Sequence, residues 1–111
     1  MPETYIQVPK PVVGERSSFN ATSYYRSSGA ASAPTTAAYR IDCVKTGTVI
    51  ADWTSLTPAV SISIPITSNN NRIIDRSNAN EKRLITVAAD KDTTTETRDS
   101  IEYIVNNRGW S

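Results

Sequence analysis

The side chains that most often do chemistry are few in this sequence. Its 111 residues include no histidine, so the commonest general base and the commonest metal ligand of proteins are missing. Cys43 is the one cysteine, and its neighbours at two-residue spacing are apolar, which favours a buried, inert thiol. No Gly-x-Ser-x-Gly nucleophile motif and no glycine-rich phosphate loop occurs. We therefore expect no enzyme activity and no cofactor.

The best candidate for a metal site is the acidic segment 90–99. Carboxylates at alternating positions are what a calcium loop requires, and this segment contains Asp90, Asp92, Glu96 and Asp99. The segment has no glycine for a sharp turn, and Lys91 and Arg98 reduce its negative charge. We expect a solvated polar hairpin here and no metal.

Charge is nearly balanced, with 12 Lys and Arg against 11 Asp and Glu. The one local excess of positive charge comprises Arg72, Arg76, Lys82 and Arg83. Asp75 and Glu81 lie within this cluster, and no aromatic residues are interleaved for base stacking. The pattern predicts a solvated loop surface and no nucleic-acid partner.

Strands must position these side chains, because apolar residues recur at every second position. The clearest case is "VSISIPIT", in which isoleucines at 62, 64 and 66 alternate with polar residues. Pro65 has no N–H to donate to a neighbouring strand, so we expect this strand at a sheet edge or at a bulge. "KTGT" predicts a turn between antiparallel strands, with Gly47 at positive φ.

Further alternating segments begin near Phe19, Tyr39, Val49, Leu84 and Ile101, and no segment has a helical period. The fold class expected is all-β: one antiparallel sandwich of six or seven strands, spanning 17–111 and resembling the immunoglobulin-like or fibronectin type. The last two strands are expected to bury Ile85 and Val87, or Leu84, and then Ile101, Tyr103 and Val105.

Residues 1–16 stand apart because they contain three prolines among apolar side chains. One interpretation is a first edge strand or a loosely attached terminus. The other is an extended N-terminal arm that binds a neighbouring protein. Under the second interpretation the partner-binding residues are Tyr5, Ile6, Val8, Pro9, Pro11, Val12 and Val13.

Aromatic and asparagine-rich segments supply the remaining candidate binding residues. Tyr24 and Tyr25 are adjacent, so in a strand one faces the core and the other faces solvent or a partner. Trp110 either folds back over its own sheet or anchors a partner. The long loop that contains Asn69, Asn70, Asn71 and Arg72 is either a solvated connector or a surface-binding loop.

The first ten residues, "MPETYIQVPK", lack the basic segment and apolar run of a secretory signal, and no segment is apolar enough to cross a bilayer. We expect synthesis in the cytoplasm and no membrane partner.

"PTTAAYRIDCVKTGTVIADWTSL" and, further on, "IEYIVNN" resemble the small immunoglobulin-like domains of tailed-bacteriophage structural proteins. The resemblance covers about residues 17–107. It implies a β-sandwich without catalytic residues. In a sandwich of this general type, Trp53 is a candidate for the core tryptophan. Domains of this family decorate capsids, sit at head–tail junctions or extend from tail proteins as adhesion modules.

The resemblance implies a structural virion protein, made in the host cytoplasm. A single domain with a proline-rich arm fits best a capsid decoration or cement subunit that binds the major capsid protein or its neighbours through the arm and a sheet edge. A homo-oligomer on the particle is compatible with this role. The alternatives are a head–tail connector or tail ring component, and a carbohydrate or cell-surface binding module that uses Tyr24, Trp110 or the asparagine-rich loop.

Overall fold

Strands make up the regular secondary structure of this chain, for which a computed structural model describes residues 2–27, 29–75 and 77–107. No helix occurs within those ranges, as expected for an all-β chain. The strands are β1 (Pro2–Gln7), β2 (Val12–Gly14), β3 (Phe19–Ser27), β4 (Ala30–Ala31), β5 (Ala37–Cys43), β6 (Thr48–Leu56), β7 (Ser61–Ile66), β8 (Asn80–Ala89) and β9 (Thr97–Asn106).

Alternation in the sequence becomes alternation of burial in the strands. In β7 every isoleucine is buried and every intervening residue is exposed. In β3 the side chain of Tyr25 is buried whereas that of Tyr24 is exposed, as predicted from their adjacency. In β8 the face that carries Ile85 and Val87 is fully buried, which settles the register left open by Leu84.

The strands form two sheets. Sheet I has β3 at its centre and β1 on one side of it. On the other side, β7 and the short β4 each pair with β3, at different positions along its length. Sheet II has the order β2-β9-β8-β5-β6. Every pair is antiparallel except β2 with β9, which is parallel, so the expectation of purely antiparallel sheets needs that correction.

The segment 1–16 differs from the separate arm that we considered. Residues 2–7 pair along their whole length with β3, and Val12, Val13 and Gly14 pair with the end of β9. The N-terminal segment thus contributes one strand to each sheet, and with β4 it raises the number of described strands above the predicted six or seven. Prolines 9 and 11 lie between the two strands, where the chain passes from one sheet to the other.

One hydrophobic core joins the two sheets. Sheet I contributes Ile6, Ala21 and the three isoleucines of β7, and the largest side chains from sheet II are Ile41, Ile85, Val87, Tyr103 and Val105. Phe19 packs edge-on against Tyr103, with ring centroids 5.2 Å apart. A single core between two sheets makes the fold β-sandwich-like. Trp53 is not part of this core; its ring lies 5.0 Å from Lys91 Nζ and 5.0 Å from Arg98 Cζ.

Strand β6 is irregular, which explains why its pattern was ambiguous. The pairing of β5 with β6 shifts register around Ile41, so Ile50 and Ala51 both pack against the core although they are adjacent. The turn before β6 is regular, and Gly47 has the predicted positive φ of 72°.

Three edge strands each contain one position at which the main-chain N–H is capped or missing. Pro65 lies in β7, which is an edge strand as predicted. In β6 the carboxylate of Asp52 accepts a hydrogen bond from the Trp53 N–H at 2.8 Å. In β1 the Ile6 N–H donates to Asp99 Oδ2 at 3.0 Å. These contacts disfavour binding of a partner by strand addition at those positions.

The register of β7 can be tested by paired substitutions. Ile64→Ala removes a fully buried side chain and should lower the free energy of unfolding by about 2–5 kcal/mol. Ser63→Ala, on the exposed face one residue earlier, should change it by less than about 0.5 kcal/mol. Urea denaturation of both variants measures this; equal effects would contradict the register.

Candidate functional site

The asparagine-rich loop, residues 67–79, is built around a buried ion pair. Arg83 Nη2 donates to Glu81 Oε1 at 2.8 Å, and both side chains are 0% exposed. The same guanidinium donates to the main-chain carbonyls of Asn70 and Arg72, each at 2.6 Å. Burial of Glu81 and Arg83 corrects the prediction of a solvated surface for these two residues, whereas Arg72 and Lys82 are exposed as predicted and Arg76 lies outside the described residues.

Glu81, the acidic member of the pair, binds the second half of the loop through hydrogen bonds. Its carboxylate oxygens accept the N–H groups of Ile74 and Asp75, both at 2.9 Å, and the side-chain amide of Asn78 at 3.1 Å. Burial alone would raise the pKa of Glu81, but these hydrogen bonds, together with the one from Arg83, lower it to about 2. The carboxylate therefore remains charged in the folded protein at neutral pH.

Asn71 joins the loop to the core and to the N-terminal segment. Its Oδ1 accepts the hydroxyl of Tyr103 at 2.6 Å, and its Nδ2 donates to the Ser17 carbonyl at 2.6 Å. Burial raises the pKa of Tyr103 to about 12, so its hydroxyl stays protonated and remains a donor. Asn71 is fully buried and is therefore not a surface-binding residue, contrary to our prediction.

The other predicted loop residues lie at the surface. Asn69 and Arg72 are exposed and Asn70 is half-buried. Pairing of Glu81 with Arg83 was missed because charged residues are rarely buried. The signal was nonetheless present, since the two-residue period of Val87 and Ile85 continues back through Arg83 to Glu81.

The predicted N-terminal binding residues fall into two groups. Ile6 is buried, and Val8 and Val13 are partly buried against the core, so these three stabilise the fold. Four remain exposed: Tyr5, Pro9, Pro11 and Val12. Trp110 lies outside the described residues.

Tyr5 and Tyr24 meet on the outer face of sheet I. They are directly opposite each other in the pairing of β1 with β3, and their side chains are 42% and 39% exposed. With Gln7, Arg26 and Val60 they line a groove of 460 Å³, which we call the tyrosine groove. The groove combines aromatic and aliphatic surface with an amide and a guanidinium at its rim.

Acidic side chains of the hairpin 90–96 and its flanks accept hydrogen bonds from the main chain of other segments. Asp90 Oδ1 accepts the N–H groups of Thr35 and Thr36, at 2.8 and 3.1 Å, and Asp99 accepts that of Ile6. In the ranges that the structure describes, no three His, Cys, Asp or Glu side chains are grouped so that they could hold a metal ion. Cys43 is buried, as its neighbours predicted.

No protein-family model and no curated protein matches the chain. Within the described ranges, the structure contains no helix with the length and apolar character needed to cross a bilayer. Judged from geometry, the candidate binding surfaces are the tyrosine groove and the loop 67–79.

Removal of Arg83 should destabilise the protein strongly. Arg83→Met leaves the buried Glu81 carboxylate without its cation and should lower the free energy of unfolding by about 3–5 kcal/mol. Lys82→Met, next in sequence but half-exposed and 3.8 Å from Glu102, should cost less than about 1 kcal/mol. Denaturant unfolding compares the two variants, and a cost for Arg83→Met as small as that for Lys82→Met would contradict the buried pair.

Stability should fall in acid because of Glu81. The folded-state pKa of about 2 lies below the ordinary value of 4.5, so the contribution of Glu81 is fully present above pH 4.5 and is lost as the pH falls toward 2. Between pH 6 and pH 3 we expect the wild type to lose about 2 kcal/mol more stability than Glu81→Gln. Urea titrations at both pH values measure this difference; parallel losses in the two proteins would contradict it.

Proposed function

We propose that this chain is a non-enzymatic structural subunit of a tailed-phage virion, and specifically a capsid decoration subunit with an immunoglobulin-like fold. The strand order supports the fold assignment. If β3, β5, β7, β8 and β9 are taken as strands B, C, E, F and G, sheet I contains B and E, and sheet II contains C, F and G, as in immunoglobulin-like sandwiches. The role itself is supported by the sequence resemblance.

The tyrosine groove is the observation that carries the binding role. Tyrosine and arginine are enriched among the residues that dominate binding energy at protein interfaces, and Tyr5, Tyr24 and Arg26 lie together at this groove. All three belong to strands, so their main chains are held in place before a partner arrives. Such preorganisation reduces the entropy lost on binding.

In this proposal the subunit binds its partner through the outer face of sheet I, and not through an N-terminal arm or a sheet edge. Residues 2–7 are already paired with β3, and the main-chain N–H is capped at Ile6 and Trp53 and missing at Pro65. A face that presents several moderate contacts suits a subunit that binds many copies of a repeating lattice, because repetition multiplies modest affinities.

Substitution of both groove tyrosines should strongly weaken attachment to the particle. Tyr5→Ser with Tyr24→Ser should weaken binding by roughly 30-fold or more, the effect expected when interface residues that dominate the binding energy are truncated. Co-sedimentation with purified virions that lack this chain measures the affinity. The control is Val44→Ser, which removes an equally exposed apolar side chain outside the groove and should bind normally.

Two results would contradict the proposal: no binding of the wild type to the virions, or undiminished binding of the double tyrosine variant. Matching thermal melting curves for all three proteins would show that the substitutions act at the surface.

A carbohydrate-binding role is the second candidate, and the cross-strand tyrosine pair favours it. Two aromatic faces beside the Gln7 amide and the Arg26 guanidinium offer a stacking surface together with hydrogen-bonding groups for sugar hydroxyls. A glycan array probed with the wild type and with Tyr24→Ser distinguishes this role. Glycans retained by the wild type alone would favour it, and an array without binders would exclude it.

A further inference from the structure

A second groove lies between the start of β6 and the loop 67–79. It has a volume of 280 Å³, just below the range of about 300–1,000 Å³ typical of small-molecule sites, so it accommodates one or two side chains. We call it the loop-end groove. One wall is Thr48, Val49 and Ile50, and the other is Asn69, Arg72, Ile73 and Ile74.

The apolar part of this groove is divided between buried and exposed side chains. Ile50 and Ile73 pack against the core and form a fixed base. Val49 and Ile74, which belong to opposite walls, are 45% and 43% exposed. Burial of this pair by an incoming apolar side chain would remove their exposed surface from water.

The polar part of the groove carries a guanidinium that is not paired with a carboxylate in the described part of the chain. Arg72 is exposed and forms no ion pair with any described residue. Of the neighbouring carboxylates, Glu81 is paired with Arg83, and Asp75, whose Oδ1 accepts the Ser77 N–H at 3.0 Å and its hydroxyl at 2.6 Å, forms no ion pair with Arg72. The charge at the rim therefore complements a carboxylate on a partner.

The loop wall is held rigidly in place. Arg83 fixes the carbonyl of Arg72, and Glu81 fixes the N–H of Ile74, so both groove residues are anchored through their main chains. A groove held by a buried ion pair loses little entropy when it is occupied.

We propose that the loop-end groove binds an extended segment of a partner protein in which an aliphatic side chain and a carboxylate lie close together. The aliphatic side chain packs between Val49 and Ile74, and the carboxylate pairs with Arg72. This surface is separate from the tyrosine groove, and the inference does not depend on the role proposed for that groove.

A defined peptide series tests the inference. The probes are capped octapeptides of serine and glycine that contain one leucine and one aspartate, at separations of one to four residues. Methyl and amide NMR shifts of the wild-type chain are followed up to millimolar peptide. We expect at least one separation to shift Val49, Ile73 and Ile74 together, and replacement of aspartate by lysine in that peptide to weaken binding at least about threefold, as for an exposed ion pair.

Matched variants complete the test. Arg72→Glu should weaken binding of the aspartate peptide at least about threefold and improve that of the lysine peptide, and Ile74→Ser should abolish both. Arg26→Glu, in the tyrosine groove, should leave the affinities unchanged. Absence of shifts at millimolar peptide, equal affinity for aspartate and lysine peptides, or shifts centred on Tyr5 and Tyr24 would overturn the inference.

Discussion

The ion pair between Glu81 and Arg83 is the constraint on which one whole end of the molecule depends. Removing two charges from water costs more than their mutual attraction returns unless further hydrogen bonds satisfy them. Here the main chain of the loop supplies most of those hydrogen bonds, through the carbonyls of Asn70 and Arg72 and the N–H groups of Ile74 and Asp75, and Arg83 Nε is left without a partner among the described residues. Loop and ion pair therefore stabilise each other, and a segment rich in asparagine acquires one conformation.

The same constraint links the loop to the rest of the sandwich. Asn71 accepts a hydrogen bond from the hydroxyl of Tyr103 in β9. Its amide nitrogen donates one to the main-chain carbonyl of Ser17, which lies between β2 and β3. Strand β9 and the segment between β2 and β3 thus both position the loop that forms one wall of the loop-end groove. A polar network that connects several elements restricts the packing of the sheets more specifically than apolar contacts alone, because unsatisfied buried groups are costly.

The sequence predicted the all-β class and the registers of the most regular strands. Its two-residue alternation was sufficient for β3 and β7, because each has one buried face and one exposed face. It was insufficient for β6, where a register shift places two adjacent residues against the core. The N-terminal segment was ambiguous because pairing with β3 and β9 depends on distant residues that no local pattern reveals.

The candidate site was predictable only in its individual residues. Adjacency of Tyr24 and Tyr25 indicated that one ring is exposed, but the cross-strand pairing with Tyr5 follows from the register of β1 on β3. The capped N–H groups of Ile6 and Trp53 disfavour strand addition at those positions, whereas the outer face of sheet I presents exposed side chains. The two-residue period indicated that Glu81 shares the face of Ile85 and Val87, but no local pattern revealed the loop N–H groups that compensate its burial.

Hydrogen exchange of the Ile74 and Asp75 amides tests the central claim most directly. If the buried carboxylate of Glu81 fixes the loop, both amides are protected from exchange at neutral pH to a degree comparable with the Ile85 amide in the middle of β8. Exchange of the two loop amides at the rate of an unstructured chain, while Ile85 stays protected, would show that the ion pair does not organise the loop and would contradict the account.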